Sequence, residues 1–307
     1  MVLRFLRQSA LRALPIVIGV ALYVAWGWDT FPAPPITSNI SVNEKVHRVA
    51  LSGQRNVDVL ALGSSMTLNN LASGPVVEHF GTTHYVNAGA WGIGALAVSR
   101  MAPPLVRHLR PRQVIMVSNL VDFTPVSTMT DKDTAAIAEH LRSPGGIGPY
   151  LTHWNAPYYL RQMSANRIRF HDAANYEYLG FDAYGGAALS VPDERIAPAR
   201  FNKPIPAAEE IDEDRYKAFQ DLARFLRSEQ VEFLVICSPH RDGLRTSEGE
   251  AVAQAHVARL RSILLPLGHR LVDAHVRQWP DSLFCDADHF DREGAELFTR
   301  WSLEQDQ

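Results

Sequence analysis

Short, unbroken apolar runs alternate along most of this chain with longer segments whose apolar residues recur every three or four positions. Val57–Leu62, His84–Asn87, Gln113–Val117, Val231–Ile236 and Leu271–Asp273 make up the first set. Runs this short, without polar alternation, predict strands of a parallel sheet covered on both faces. Helical periods occupy Ala95–Leu109, Asp214–Ser228, Ala251–Leu265 and Arg292–Leu303. In the second of these, Tyr216, Phe219, Leu222, Phe225 and Leu226 fall on one stripe, as a helix packed on a sheet requires. In the first, Pro103-Pro104 removes two N–H donors, which predicts a kink or break there. Strand and helix in alternation predict a three-layer α/β/α sandwich, with about five parallel strands in the flavodoxin-like order.

Three segments depart from that rhythm. Residues 124–208 are rich in aromatics and contain Gly in YLGF and YGG runs. A structureless loop of that length is improbable in a compact domain, so short helices are expected, above all in Pro149–Phe170. This insertion is placed over the carboxyl end of the sheet, where α/β proteins bind ligands. Residues 30–55, opening with FPAPPITSN, read as an extended linker leading into a short polar helix or strand. Residues 1–29 read as a leader. From Ala13 to Trp28 there is no charge, and Arg4, Arg7 and Arg12 precede that run without an acid. The span is slightly short of the roughly 20 apolar residues of a bilayer-crossing helix. Arg12 can snorkel at one end, and Trp26 and Trp28 suit an interfacial belt at the other. An N-terminal anchor with the body outside the cytoplasmic membrane is favoured. A cleaved secretory signal, with the small-x-small triplet Ala25-Trp26-Gly27, is the alternative, and a buried core helix is the weakest fit. On this reading the 56–307 body is an exported domain in either of the first two cases.

Composition sharpens the picture. At 307 residues, with 46% hydrophobic and 9% aromatic side chains, the chain fills a real core, and disordered or low-complexity classes are out. Two cysteines exclude a disulfide scaffold and a four-cysteine zinc module. Cys237 and Cys285 are either a pair in an oxidising compartment or two separate buried thiols. The net charge of −3 argues against nucleic acid as a partner. It divides unevenly: residues 1–55 hold six basic and two acidic side chains, leaving 24 basic and 31 acidic in the rest.

The candidate chemistry stands at predicted strand ends and in the last loop. Gly63-Ser64-Ser65-Met66 follows the first strand, where a serine at a strand-to-helix turn presents its hydroxyl above the sheet near helix N–H groups. The same tripeptide is a common turn and helix cap. Thr67 replaces the second glycine of the α/β-hydrolase elbow, so that motif is absent. Asn87-Ala88-Gly89-Ala90-Trp91-Gly92 follows the second strand, and its glycines allow close backbone approach. The spacing is not the dinucleotide fingerprint. Ser118-Asn119-Leu120-Val121-Asp122-Phe123 follows the third, with Asp122 suited to a helix cap. In Asp286-Ala287-Asp288-His289 a carboxylate three residues before a histidine can orient the imidazole from one loop. Metal binding is the minority reading, since no second His-rich segment lies near a predicted strand end except His240 in SPHRDG.

The order GSS, NAGAWG, a strand ending in NLVDF, then DADH before a terminal helix resembles the SGNH (GDSL-type) hydrolase superfamily over residues 57–304. The resemblance implies Ser65 as nucleophile, His289 as general base and Asp286 as its orienting acid. It implies an oxyanion hole from the N–H groups of Ser65 and Gly92, with no metal and no cofactor. Two departures stand out: Ser64 replaces the acid that usually precedes the nucleophile, and Val121 stands where the third block supplies an asparagine. Asn119, two residues earlier and so on the same side of an extended segment, is the expected substitute. The leader and the insertion are more similar to envelope acyltransferase relatives, the alginate O-acetyltransferase family and the D-alanyl transfer protein of teichoic acid assembly. That narrower resemblance implies a polysaccharide acceptor and an acyl donor supplied by a membrane-bound O-acyltransferase. A non-catalytic scaffold or sugar-binding relative of the same fold is the alternative, motivated by Val121.

Overall fold

A computed structural model describes residues 2–26, 31–125, 129–144 and 148–306. Helix α1 (Val2–Trp26) is followed by α2 (Ile40–Ser52), β1 (Val59–Ala61), α3 (Ser65–Asn70), α4 (Ser73–Phe80), β2 (Tyr85–Asn87), α5 (Ala95–Leu109) and β3 (Gln113–Ser118). Then come α6 (Asp131–Arg142), α7 (Gly148–Thr152), α8 (Ala156–Arg169), α9 (Pro198–Phe201), α10 (Glu213–Ser228), β4 (Glu232–Cys237), α11 (Ser247–Leu264), β5 (Arg270–Asp273) and α12 (Arg292–Glu304). The five strands are parallel in the order β2-β1-β3-β4-β5. This is the α/β architecture and flavodoxin-like order that the apolar runs predict.

The runs lack polar alternation because the sheet has a core on each face. Val59, Ala61, Ile115, Val117, Leu234 and Ile236 pack with residues of α3, α4 and α12 on one side. Leu60, Val114, Met116, Phe233 and Val235 pack with α2, α5, α10 and α11 on the other. Side chains alternate faces along a strand, so both sets must be apolar.

Helix α5 runs unbroken through Pro103 and Pro104, so of the expected kink or break there is no break. Pro104 leaves the Arg100 carbonyl without its helical donor, and the Thr134 hydroxyl of α6 donates to it at 3.3 Å. Residues 31–39 lead into a helix, one of the two elements expected there, and the segment is packed into the domain. Ala33 and Ile36 are buried, and α2 packs Val42, Val46, Val49 and Ala50 into the core. Its apolar period was hidden by the buried polar residues Asn43 and Lys45 between those positions.

Lys45 explains why polar residues lie there. Its ammonium reaches the backbone carbonyls of Asn87, at 3.2 Å, and Gly185, and sits 3.7 Å from the centre of the Phe181 ring. Burial pushes its pKa well below the usual lysine value. Lys45→Ala removes both donations and leaves a void. It should lower unfolding stability by about 3 kcal/mol in a denaturant titration.

In the insertion, α7 and α8 occupy the segment where short helices are expected, and four of its aromatics, Tyr150, Trp154, Tyr158 and Tyr159, cluster around the last of these. Phe31 stacks on Tyr159 with ring centres 5.4 Å apart, and Tyr150 and Trp154 also pack on Tyr159. Helix α1 is long and apolar enough to cross a membrane, with mean hydropathy 1.4 over Arg4–Leu22 and no burial in the domain. Gly27 and Trp28, which bear on the cleavage and interfacial-belt expectations, lie outside the described residues. Cys237 and Cys285 are both free and buried.

Candidate active site

Three loops at the carboxyl ends of β1, β2 and β3 converge with the loop before α12. A Cβ on Gly63 would lie 2.0 Å from the Thr67 hydroxyl, so only glycine fits there. That hydroxyl donates to the Val117 carbonyl and accepts from the Val117 N–H, both at 2.9 Å, tying the turn after β1 to β3. Ser64 caps α3 by accepting the Met66 N–H at 3.2 Å. Ser65 is therefore the first helical residue, with its side chain above the sheet.

The loop before α12 is closed by the Cys285 N–H donating to the His289 carbonyl at 2.8 Å. Within it, Asp286 Oδ1 accepts the N–H groups of Asp288 and His289. His289 Nδ1 lies 2.9 and 3.0 Å from the two Asp286 oxygens and 3.1 Å from Asp288 Oδ1. Two carboxylates at Nδ1 place the proton there, which leaves Nε2 to accept from the Ser65 hydroxyl at 2.8 Å. Ser65, His289 and Asp286, the three residues that the resemblance singled out, are thus brought together. The cavity they share, about 360 Å³, is also lined by Gly92, Val121, Arg200 and Lys203.

Asn119 is not brought to that cavity. Its Nδ2 donates to Asp288 Oδ2 at 3.1 Å, and its Oδ1 accepts the Val121 N–H. The expectation of extended backbone fails because the chain turns at once into a 3-10 helix, Leu120–Phe123, which Asn119 caps. Val121 consequently stands in the cavity wall. Asp122 accepts the Ser118 hydroxyl at 2.7 Å and hydrogen-bonds Ser64. Burial pushes its carboxyl up to about 7.

Several site residues escape the sequence motifs. Asp288 is a second carboxylate on the imidazole. Asn70 clamps the loop, donating to the Asp288 carbonyl at 2.9 Å and accepting the Phe290 N–H at 3.0 Å. Arg200 reaches Asp286 at 3.2 Å from the insertion. The only sequence signal for Asp288 was its place within DADH.

The electrostatics follow from this crowding. Burial by itself disfavours the imidazolium, but the carboxylates of Asp286 and Asp288 outweigh it and hold the His289 pKa well above its ordinary value. Burial opposes the Asp288 anion too, and the His289 charge and hydrogen bond reverse that, keeping it ionised. His240 lies buried behind this group, and burial pushes its pKa down to about 4. Asp286, Asp288 and His289 have ligand atoms within 4.8 Å of one another. The Arg200 guanidinium already neutralises this cluster from one side, which opposes a metal cation there. Chelation with EDTA should accordingly leave serine labelling by a fluorophosphonate unchanged.

No family model matches the sequence, and no curated protein is detectably similar to it. Among solved structures, the chain is similar to a proposed acylhydrolase from Bacteroides fragilis, with 12% identity and a TM-score of 0.38. The match covers 84% of this chain and 94% of that one.

Proposed function

We propose that the chain is a serine-dependent acyl-ester enzyme of the SGNH type, acting outside the cytoplasmic membrane to which α1 tethers it. One observation carries the reading: Ser65 Oγ lies 2.8 Å from His289 Nε2, while Nδ1 of the same ring faces Asp286. His289 takes the Ser65 proton as Oγ attacks the ester carbonyl, and a tetrahedral oxyanion forms. The N–H groups of Ser65 and Gly92 are the donors proposed for it. Collapse breaks the ester C–O bond, and the proton on Nε2 passes to the departing alkoxide. The acyl group, now an ester of Ser65, then goes to water or to a sugar hydroxyl that gives its proton to His289, and His289 returns that proton to Ser65 Oγ as its bond to the acyl carbon breaks. An O-acetyl group and an envelope or exported polysaccharide are the proposed cargo and acceptor, with the acyl donor supplied by a membrane-bound O-acyltransferase.

The position of Val121 favours a second reading, a non-catalytic scaffold or carbohydrate-binding protein. Without a third-block amide the oxyanion loses a donor, typically worth about 10²–10³ in rate. Fluorophosphonate labelling decides between them. Labelling of the wild type, absent in Ser65→Ala and His289→Ala, supports the enzyme. A wild type inert to every activated ester supports the scaffold. Product analysis with and without a polysaccharide acceptor then separates transfer from hydrolysis.

A further inference from the structure

A second cavity, about 510 Å³, opens between the start of α2, helix α8 and Trp91. We propose that it is a subsite for an acidic sugar unit of the acceptor, joined to the Ser65 cavity through the Trp91–Gly92 peptide. The assignment as an acceptor subsite rests on the serine chemistry proposed above.

The junction is built by the backbone. Gly92 has φ of 72°, a left-handed conformation that turns the chain sharply. Trp91 thereby lines one cavity and Gly92 the other. The N-terminal end of α2 holds this turn. Asn39 Nδ2 donates to the Trp91 carbonyl at 3.0 Å, and the Ser41 hydroxyl accepts the Trp91 N–H at 3.2 Å. A ligand seated against Trp91 is therefore one residue from a backbone group proposed to stabilise the reacting centre.

The lining has the chemistry of a sugar site with an added charge. Trp91 and Tyr158 supply aromatic surface, which suits the apolar face of a pyranose, and the volume is within the ordinary range for small ligands. Much of the polar wall is already committed. Tyr158 donates its hydroxyl to the Ala33 carbonyl at 3.1 Å. Arg169 bonds Gln162 at 2.6 Å and Glu177 at 2.8 Å, so its charge is compensated. Arg161 differs: it is exposed on the same wall and among the described residues is not ion-paired there, the Glu177 carboxylate of this cavity being taken by Arg169. A neutral sugar fills the aromatic wall and leaves that guanidinium idle, whereas a sugar carboxylate gives it a planar, bidentate partner. The chain outside residues 1–55 is net acidic, so attraction of an anion here must be local.

Titration calorimetry on the full chain in detergent micelles tests this with tetragalacturonate against cellotetraose. Tetragalacturonate should bind about tenfold more tightly. Arg161→Ala should erase that preference, Arg161→Lys should keep part of it, and added salt should shrink it. Equal binding of the two oligomers, no binding of tetragalacturonate, or a preference that survives Arg161→Ala overturns the proposal. Thermal melting of Arg161→Ala guards against misfolding. Ser65→Ala should bind as the wild type does. A chain that binds tetragalacturonate but is never labelled at Ser65 keeps the subsite and loses the serine chemistry. One that is labelled but does not bind keeps the chemistry and loses the subsite.

Discussion

Ser65→Ala and His289→Ala are each expected to lower turnover of an activated ester by about 10⁴-fold or more, without loss of the fold. Both side chains act as one unit through the 2.8 Å contact between them, so the double variant should be scarcely worse than either single one. Neither substitution touches the hydrogen bonds that set the loops. The clamp by Asn70, the Thr67 bridge to β3 and the Asp286 bonds to backbone N–H groups all remain. Unchanged circular dichroism should accompany the loss in both, with unchanged melting in Ser65→Ala and a lower melting temperature in His289→Ala, which leaves Asp286 and Asp288 buried without the imidazolium. A variant that loses activity only in parallel with its melting temperature would show a structural role instead.

The second large effect comes from the two carboxylates on one imidazole. A single orienting aspartate replaced by asparagine typically costs about 10⁴ in turnover, through the wrong tautomer. Here Asp288 still faces Nδ1 at 3.1 Å when Asp286 is changed. Asp286→Asn should thus cost clearly less than that, and Asp286→Asn with Asp288→Asn should cost more than the two single losses combined. A double-mutant cycle measures the coupling. The pH profile gives an independent readout. The base must be unprotonated to accept the serine proton, and both carboxylates favour the imidazolium. Activity should rise with pH through an inflection above the ordinary histidine range, and Asp288→Asn should move that inflection down. The charged Arg200 and Lys203, and His240, which burial keeps neutral above about pH 4, also surround this cluster. Arg200 already offsets part of the Asp286 charge, so its removal should move the inflection up. The same raised pKa stabilises the fold below the unfolded histidine value and loses that contribution as pH climbs through the folded one.

Much of this was legible in the sequence, and the parts that were not have physical reasons. Continuous apolar runs betrayed the strands because both faces of the sheet are covered. The order of GSS, NAGAWG and DADH placed Ser65, Asp286 and His289 because each lies in a short loop fixed by its neighbouring element. The burial of helix α2 was not legible because buried Asn43 and Lys45 interrupt its apolar stripe, and Lys45 finds its partners in backbone carbonyls far away in sequence. The continuity of α5 through two prolines depended on a threonine of α6 that no local pattern points to. Asn119 was misplaced because whether a strand continues or turns is decided by the cap it makes on Val121. Asp288 and Arg200 were hidden for a simpler reason: their roles come from contacts across the fold.

One further consequence concerns reach. Phe31 is already stacked on Tyr159, and only residues 27–30 separate it from the end of α1. Extended chain covers at most about 3.6 Å per residue, so the leash from Trp26 to Phe31 is no longer than about 18 Å. Under the proposed function, with α1 seated in a bilayer, the domain would work as a dockside crane rather than a free-swimming catalyst. On that proposal an acceptor is reached only close to the membrane surface, and polymer released beyond it is out of range.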